Sequence, residues 1–175
     1  DAGTATIIEA SPDSQEIKMN FKTDGSRKDS LIIPAGGFRV PSTSETRKIR
    51  KQADSGVRSA EHIYLDGVGV FNFSITDVVE TIKEFMDDER LDVDSVDYLI
   101  LHQANKFMID KIAKKLSFPR EKVLYSLMKY GNTSSASIPI AMHEASKAGL
   151  LEPGSLTLVV VVGAGLTWGA ALIRW

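Results

Sequence analysis

Two largely apolar runs, the second interrupted by Thr157, constrain this chain more than any other feature. Leu99-Ile100-Leu101 lies inside DYLILH, and Leu156 to Val162 reads LTLVVVV. A strand with water on one face alternates polar and apolar residues. A strand covered on both faces is apolar throughout, as in sheets flanked by helices. Amphipathic stretches separate the runs: Val70 to Met86, Asn105 to Leu116 and about Ser135 to Ala148 each repeat apolar residues at helical spacing. Strands alternating with helices predict an α/β domain with a mostly parallel sheet. The ending, VVGAGLTWGAALIRW, predicts two strands closing on a small-residue turn.

The remaining elements are weaker. Thr4 to Ala10 reads as a strand closed by the turn SPDS, Glu16 to Thr23 as a half-buried strand, and Val123 to Leu127 as a short strand. The helix from Val70 is expected to begin near Asn72 or Ser74. From residue 31 to 58 the periodicity fails, and Gly36-Gly37, two prolines and STSETRKIRKQ predict an exposed excursion with one helical turn. Arg47, Lys48, Arg50 and Lys51 could form an anionic docking patch; a solvated face is the simpler reading. Because the chain opens directly on a strand pattern, Asp1 is expected not to be the natural N-terminus.

Composition removes several classes of function. The 175 residues carry a formal net charge of −2, so no overall basic field would hold nucleic acid. With no cysteine there is no disulfide, thiolate metal site or cysteine nucleophile within the chain, a pattern compatible with the cytoplasm. No apolar run approaches the roughly 20 residues that span a bilayer. His62, His102 and His143 lack metal-ligand spacing, no Ser occupies a GxSxG elbow, and the terminal glycines do not follow GxGxxG.

His102 stands at the carboxyl end of a buried strand, where open α/β sheets bind ligands. It is open between a site residue and a histidine bonded to a carbonyl. Asn132, in GNTSSAS, reads by spacing alone as a helix cap.

Three segments together resemble the beta-ketoacyl-acyl carrier protein synthase III family of thiolase-fold condensing enzymes. They are His102-Gln103-Ala104-Asn105, Gly131 to Ser137 (GNTSSAS), and Gly163 to Gly169 (GAGLTWG). Asp66 to Phe71 is similar to the family's entry into the first helix of its second half, and DAGTATIIE to the opening strand. The resemblance implies that residues 1–175 are the C-terminal half of the enzyme: a five-stranded mixed sheet with helices on both faces, the cysteine nucleophile lying in the other half.

It implies the following roles. His102 and Asn132 would be catalytic and converge on one oxygen, and the Ala164 backbone N–H would serve the acyl-transfer oxyanion. Gly67, Phe71, Asn105 and Val162 would bind substrate, and Gln103, Lys106 and Phe107 would dock the carrier protein. Acyl-CoA and malonyl-acyl carrier protein would be the substrates, joined in the condensation that initiates fatty acid biosynthesis. The full-length enzyme would be a homodimer, with no cofactor, metal, nucleic acid or membrane involved. Phe107, Met108 and Ile112 on one helix, and Ile138, Ile140 and Met142 on another, would lie uncovered where the halves meet. The chain departs from the pattern at Val162, where the family has phenylalanine, at Ala164, its middle glycine, and at Phe107, often arginine. Two alternatives remain: a related condensing enzyme of secondary metabolism, and a non-catalytic acyl-CoA- or protein-binding half-fold.

Overall fold

The computed structural model describes residues 2–10, 12 and 14–175. In chain order the elements are β1 (Lys18–Thr23), β2 (Leu31–Ile32), β3 (Arg50–Lys51), β4 (Val57–Arg58), β5 (Tyr64–Leu65), α1 (Gly67–Ile75) and α2 (Asp77–Asp88). There follow β6 (Tyr98–Leu101), α3 (Lys106–Lys115), α4 (Leu127–Tyr130), α5 (Ser137–Lys147), β7 (Leu156–Gly163) and β8 (Thr167–Arg174). They divide between two units. The first takes the residues up to Lys22 with Phe73–Val162 and Trp168–Trp175; the second takes Thr23–Asn72 and Gly163–Thr167.

The first unit is built on a mixed sheet of order β1-β8-β7-β6. β6 and β7 run parallel, with Leu99 opposite Leu158 and Ile100 opposite Val159. The short turn from β7 to β8 can close only an antiparallel pair. The apolar runs behave as their composition requires. Ile100 faces α5, in a cluster with Leu124, Ala141, Ala145 and Leu151. Leu99 and Leu101, which point to the opposite face, are equally buried. Trp168 on β8 stacks edge-on against Phe73, centroids 4.9 Å apart, and its indole N–H donates to Thr81 Oγ1 of α2 at 2.8 Å. β1 lies so close to β8 that a Cβ on Gly169 would stand 2.6 Å from the Asn20 carbonyl oxygen.

Several expectations are corrected here. The sheet has four strands among the described residues, not five, because 4–10 forms no ladder. Ile7 and Ile8 are adjacent and would need cover on both faces, yet they are 92% and 84% exposed. Ser11 and Asp13 of the expected turn, and Asp1, lie outside the described residues. Residues 123–127 contribute a single bridge, Leu99 to Val123, before α4 begins. The helix expected over 70–86 is two helices: Thr76 leaves the helical region (φ −116°, ψ −83°), and α2 then buries its own face through Val78, Val79, Ile82, Phe85 and Met86. α1 starts earlier than Asn72, at Gly67, where the Asp66 carboxylate accepts from the Gly69 N–H at 2.9 Å. Met108 and Ile112 are core residues rather than uncovered ones, and Ile138 and Met142 pack on the Ile100 cluster, because both helices cover their own sheet.

Two short antiparallel ladders, β3 with β4 inside residues 31–58 and β2 with β5 joining the start of that stretch to Tyr64–Leu65 beyond it, lie in the second unit. At its start Asp24 accepts from the Ser26 N–H and hydroxyl and from the Arg27 guanidinium, which hold its carboxyl down at about 2.

Candidate active site

The first unit carries two segments that meet. β6 stops at Leu101, and the His102 N–H still donates to Val160 O at 2.8 Å, so the strand ladder sets the histidine's backbone. The chain then turns, with the Ala104 N–H bonded to His102 O at 2.9 Å, and enters α3. Asn105 is the N-cap of that helix: its side-chain oxygen accepts from the Met108 N–H at 2.7 Å. One lone pair of that oxygen thus serves the helix cap.

Opposite, α4 ends at Gly131 in the left-handed region (φ 70°), a conformation that glycine adopts without strain. GNTSSAS follows as a 3₁₀ turn over 134–136, leading into α5. The last serine of the motif, Ser137, is buried, and its hydroxyl lies 2.8 Å from His102 Nδ1 and 3.3 Å from the Gln103 backbone N–H. Spacing did not single out Ser137. Its only sequence signal is its place within GNTSSAS, on the first turn of a helix.

Asn132 is exposed, and its Oδ1 accepts from the Ser134 N–H at 2.9 Å. Because the atom facing an N–H must be the oxygen, the side-chain NH₂ points away from the backbone. It has no partner among the described residues. Beside it, Thr133 Oγ1 is buried and also unpartnered among them. The segment therefore carries donor capacity that the described residues do not consume. Burial pushes the His102 imidazole below its ordinary value, so the ring is neutral over a wider pH range.

Gln103 is corrected outright. It is 0% exposed. Its Nε2 donates to Leu101 O at 2.7 Å and Leu124 O at 3.4 Å, and its Oε1 accepts from the N–H groups of Ser126 and Leu127 at 3.0 and 3.1 Å. No atom of this side chain is left to meet a carrier protein; it ties the end of β6 to the approach of α4. Phe107, by contrast, is 60% exposed, with the Lys111 ammonium 5.1 Å from its ring centre. Lys106 is half-buried and ion-paired to Asp110, whose carboxyl it holds below the usual range. Asp110 also accepts from the Tyr125 hydroxyl at 2.6 Å, a phenol pushed upward by burial and by that carboxylate. A cleft of about 790 Å³ runs beside this group, lined by Asp94, Lys114, Phe118 and Arg120 among others; neither His102 nor Asn132 lines it.

Val162 sits half-buried near the end of β7. Gly67, Phe71 and Ala164 belong to the second unit: Gly67 and Phe71 on α1, the first exposed and the second half-buried, and Ala164 exposed in the turn between β7 and β8. Among the described residues no three His, Cys, Asp or Glu side chains could hold a metal ion, and no helix is long and apolar enough to cross a membrane.

Comparison with known proteins places these features. Residues 86–175 match the sequence profile described as "3-Oxoacyl-[acyl-carrier-protein (ACP)] synthase III C terminal". The chain is 41% identical over 153 residues to a beta-ketoacyl-[acyl-carrier-protein] synthase III of Rhodopirellula baltica, covering 87% of this chain and 42% of that protein. It is 38% identical over 175 residues to the enzyme of that name from Clostridium perfringens, covering 99% and 51%. A crystal structure of a 3-oxoacyl-(acyl-carrier-protein) synthase III superposes with a TM-score of 0.89 at 30% identity, over 96% of this chain and 50% of that one. The Aquifex aeolicus structure gives 0.68 at 32% identity, over 90% and 43%. The chain spans about half the length of the curated relatives it matches.

Proposed function

This chain belongs to the 3-oxoacyl-[acyl-carrier-protein] synthase III family, whose C-terminal half it carries, and from that premise we propose that it is the carbanion-stabilising half of a decarboxylating acyltransferase. The full-length enzyme condenses an acyl-CoA primer with malonyl-acyl carrier protein to initiate fatty acid biosynthesis. The observation that carries this reading is the meeting of HQAN and GNTSSAS at the carboxyl end of a parallel strand, through His102 and Ser137.

The chemistry divides between the halves. A cysteine of the N-terminal half takes the acyl group from CoA as a thioester. Malonyl-acyl carrier protein then loses carbon dioxide, and the electron pair of the broken C–C bond becomes an enolate with its charge on the thioester oxygen. The enolate carbon attacks the acyl carbonyl, the cysteine thiolate leaves, and the ketoacyl-carrier protein departs. No base is needed, because decarboxylation itself generates the nucleophile. What is needed is stabilisation of the enolate oxygen by donors already in place. An imidazole N–H of His102 and the side-chain NH₂ of Asn132 are neutral, and converge on that oxygen. Ala164 offers its N–H to the acyl-transfer oxyanion. Gly67, Phe71, Asn105 and Val162 border the substrate. The exposed ring of Phe107, with Lys106 beside it, meets the carrier protein. The enzyme works as a homodimer.

In the full-length protein, His102→Ala and Asn132→Ala should each slow malonyl-carrier protein decarboxylation by roughly 100-fold, the loss of one oxyanion donor of about 3 kcal/mol. Acylation by acyl-CoA should persist. Unchanged decarboxylation in both variants would refute the enolate role. The chain alone, without cysteine, should form no ketoacyl product.

A further inference from the structure

Ser137 is 1% exposed and stands at the first position of α5. Its hydroxyl has two close neighbours, His102 Nδ1 at 2.8 Å and the Gln103 backbone nitrogen at 3.3 Å. A backbone N–H can only donate, so one lone pair of Oγ is committed to Gln103. The hydroxyl hydrogen then needs an acceptor. Among the described residues Oγ forms no hydrogen bond with any acceptor other than His102 Nδ1, and at 1% exposure bulk water does not reach it. An imidazole nitrogen that accepts a hydrogen bond carries no proton, so a neutral ring must carry its proton on Nε2.

We propose that Ser137 is a positioning residue that fixes His102 as the Nε2–H tautomer. The order of donors runs one way, from the Gln103 amide to the Ser137 hydroxyl to His102 Nδ1, and leaves Nε2–H as the outward donor. The inference rests on the reading of His102 as a donor to the enolate. It adds a reason why the donor is always armed: an unheld ring would divide between tautomers, and the fraction protonated on Nδ1 would present a lone pair to a negative oxygen. Gln103 has a part in this, since its buried side chain holds in place the backbone whose N–H starts the chain of bonds. Burial of the ring, which disfavours the imidazolium, acts in the same direction.

The test uses the full-length protein with histidine enriched in heavy nitrogen, and NMR correlation of ring nitrogens with ring protons, the His102 signal being identified by its loss in His102→Gln. The expected result is a proton on Nε2 alone in the wild type, a mixture of tautomers in Ser137→Ala, and return to Nε2–H in Ser137→Thr, which keeps the hydroxyl. In parallel, kcat for condensation should fall roughly fivefold in Ser137→Ala, the effect of one ordinary hydrogen bond, with KM for malonyl-carrier protein unchanged and the Thr variant recovering. A wild-type proton on Nδ1, or a Ser137→Ala ring still wholly Nε2–H, overturns the proposal. Should the Ala variant not fold, the wild-type Ser137 hydroxyl proton decides, because it must couple to Nδ1 across the bond; an uncoupled proton overturns the proposal too. A wild-type enzyme with the expected tautomer but no malonyl decarboxylation would refute the reading of the reaction and leave the tautomer assignment standing.

Discussion

Gln103→Met removes a buried polar anchor while keeping nearly the same length of side chain. In the wild type, the side chain satisfies Leu101 O at 2.7 Å and the N–H groups of Ser126 and Leu127 at 3.0 and 3.1 Å; its fourth bond, to Leu124 O at 3.4 Å, is marginal. Ser126 is buried and Leu127 half-buried, so water cannot replace all three partners. An unsatisfied buried group costs about 1–3 kcal/mol, and two full penalties with one partial give roughly 3–5 kcal/mol. That is a large share of the 5–15 kcal/mol typical of a folded domain. In urea, with a slope of about 2 kcal/mol per molar, the unfolding midpoint should drop by roughly 1.5–2.5 M. Fluorescence of Trp168, which is buried against Phe73, reports the transition. A midpoint shift below about 0.5 M, equivalent to about 1 kcal/mol on that slope, would refute the anchoring role and reopen a docking role for Gln103.

Other outcomes follow from the same packing. Gly169→Ala forces a Cβ toward the Asn20 carbonyl and should cost about 1–3 kcal/mol; amide exchange at Asn20 and Phe21 should quicken before exchange in β6. Ile100→Ala empties the centre of the cluster under α5 and should lower stability by about 3–4 kcal/mol, measured by denaturant titration. Burial lowers the His102 pKa from its ordinary 6.5. In the window below that value the unfolded chain binds a proton that the folded one resists, so stability should fall as pH falls through it. Stability titrated against pH should lose that part of its slope in His102→Gln, and an unchanged slope would contradict the shift.

Much of the fold was legible because apolar period reports burial directly. LTLVVVV and YLIL read as strands covered on both faces, and α3 and α5 announced themselves by apolar spacing, α3 also by Asn105 at its start. The errors share one cause. Thr4 to Ala10 has a strand's composition, but a strand exists only beside a partner, and composition does not name the partner. Val70 to Met86 has one helical period, but the break at Thr76 answers to which surface each half must bury.

The site divides along the same line. The sequence by itself determined the residue types and their order, HQAN and GNTSSAS, and so the family, because identity and order along the chain are there before any packing. Only tertiary structure decided which of them face outward. Gln103 and Ser137 look like site residues or spacers on paper, yet one is a buried anchor and the other meets His102 across a gap of 35 positions. A hydrogen bond depends on position within about 3 Å, and residues distant in sequence come that close only once α5 has packed on β6.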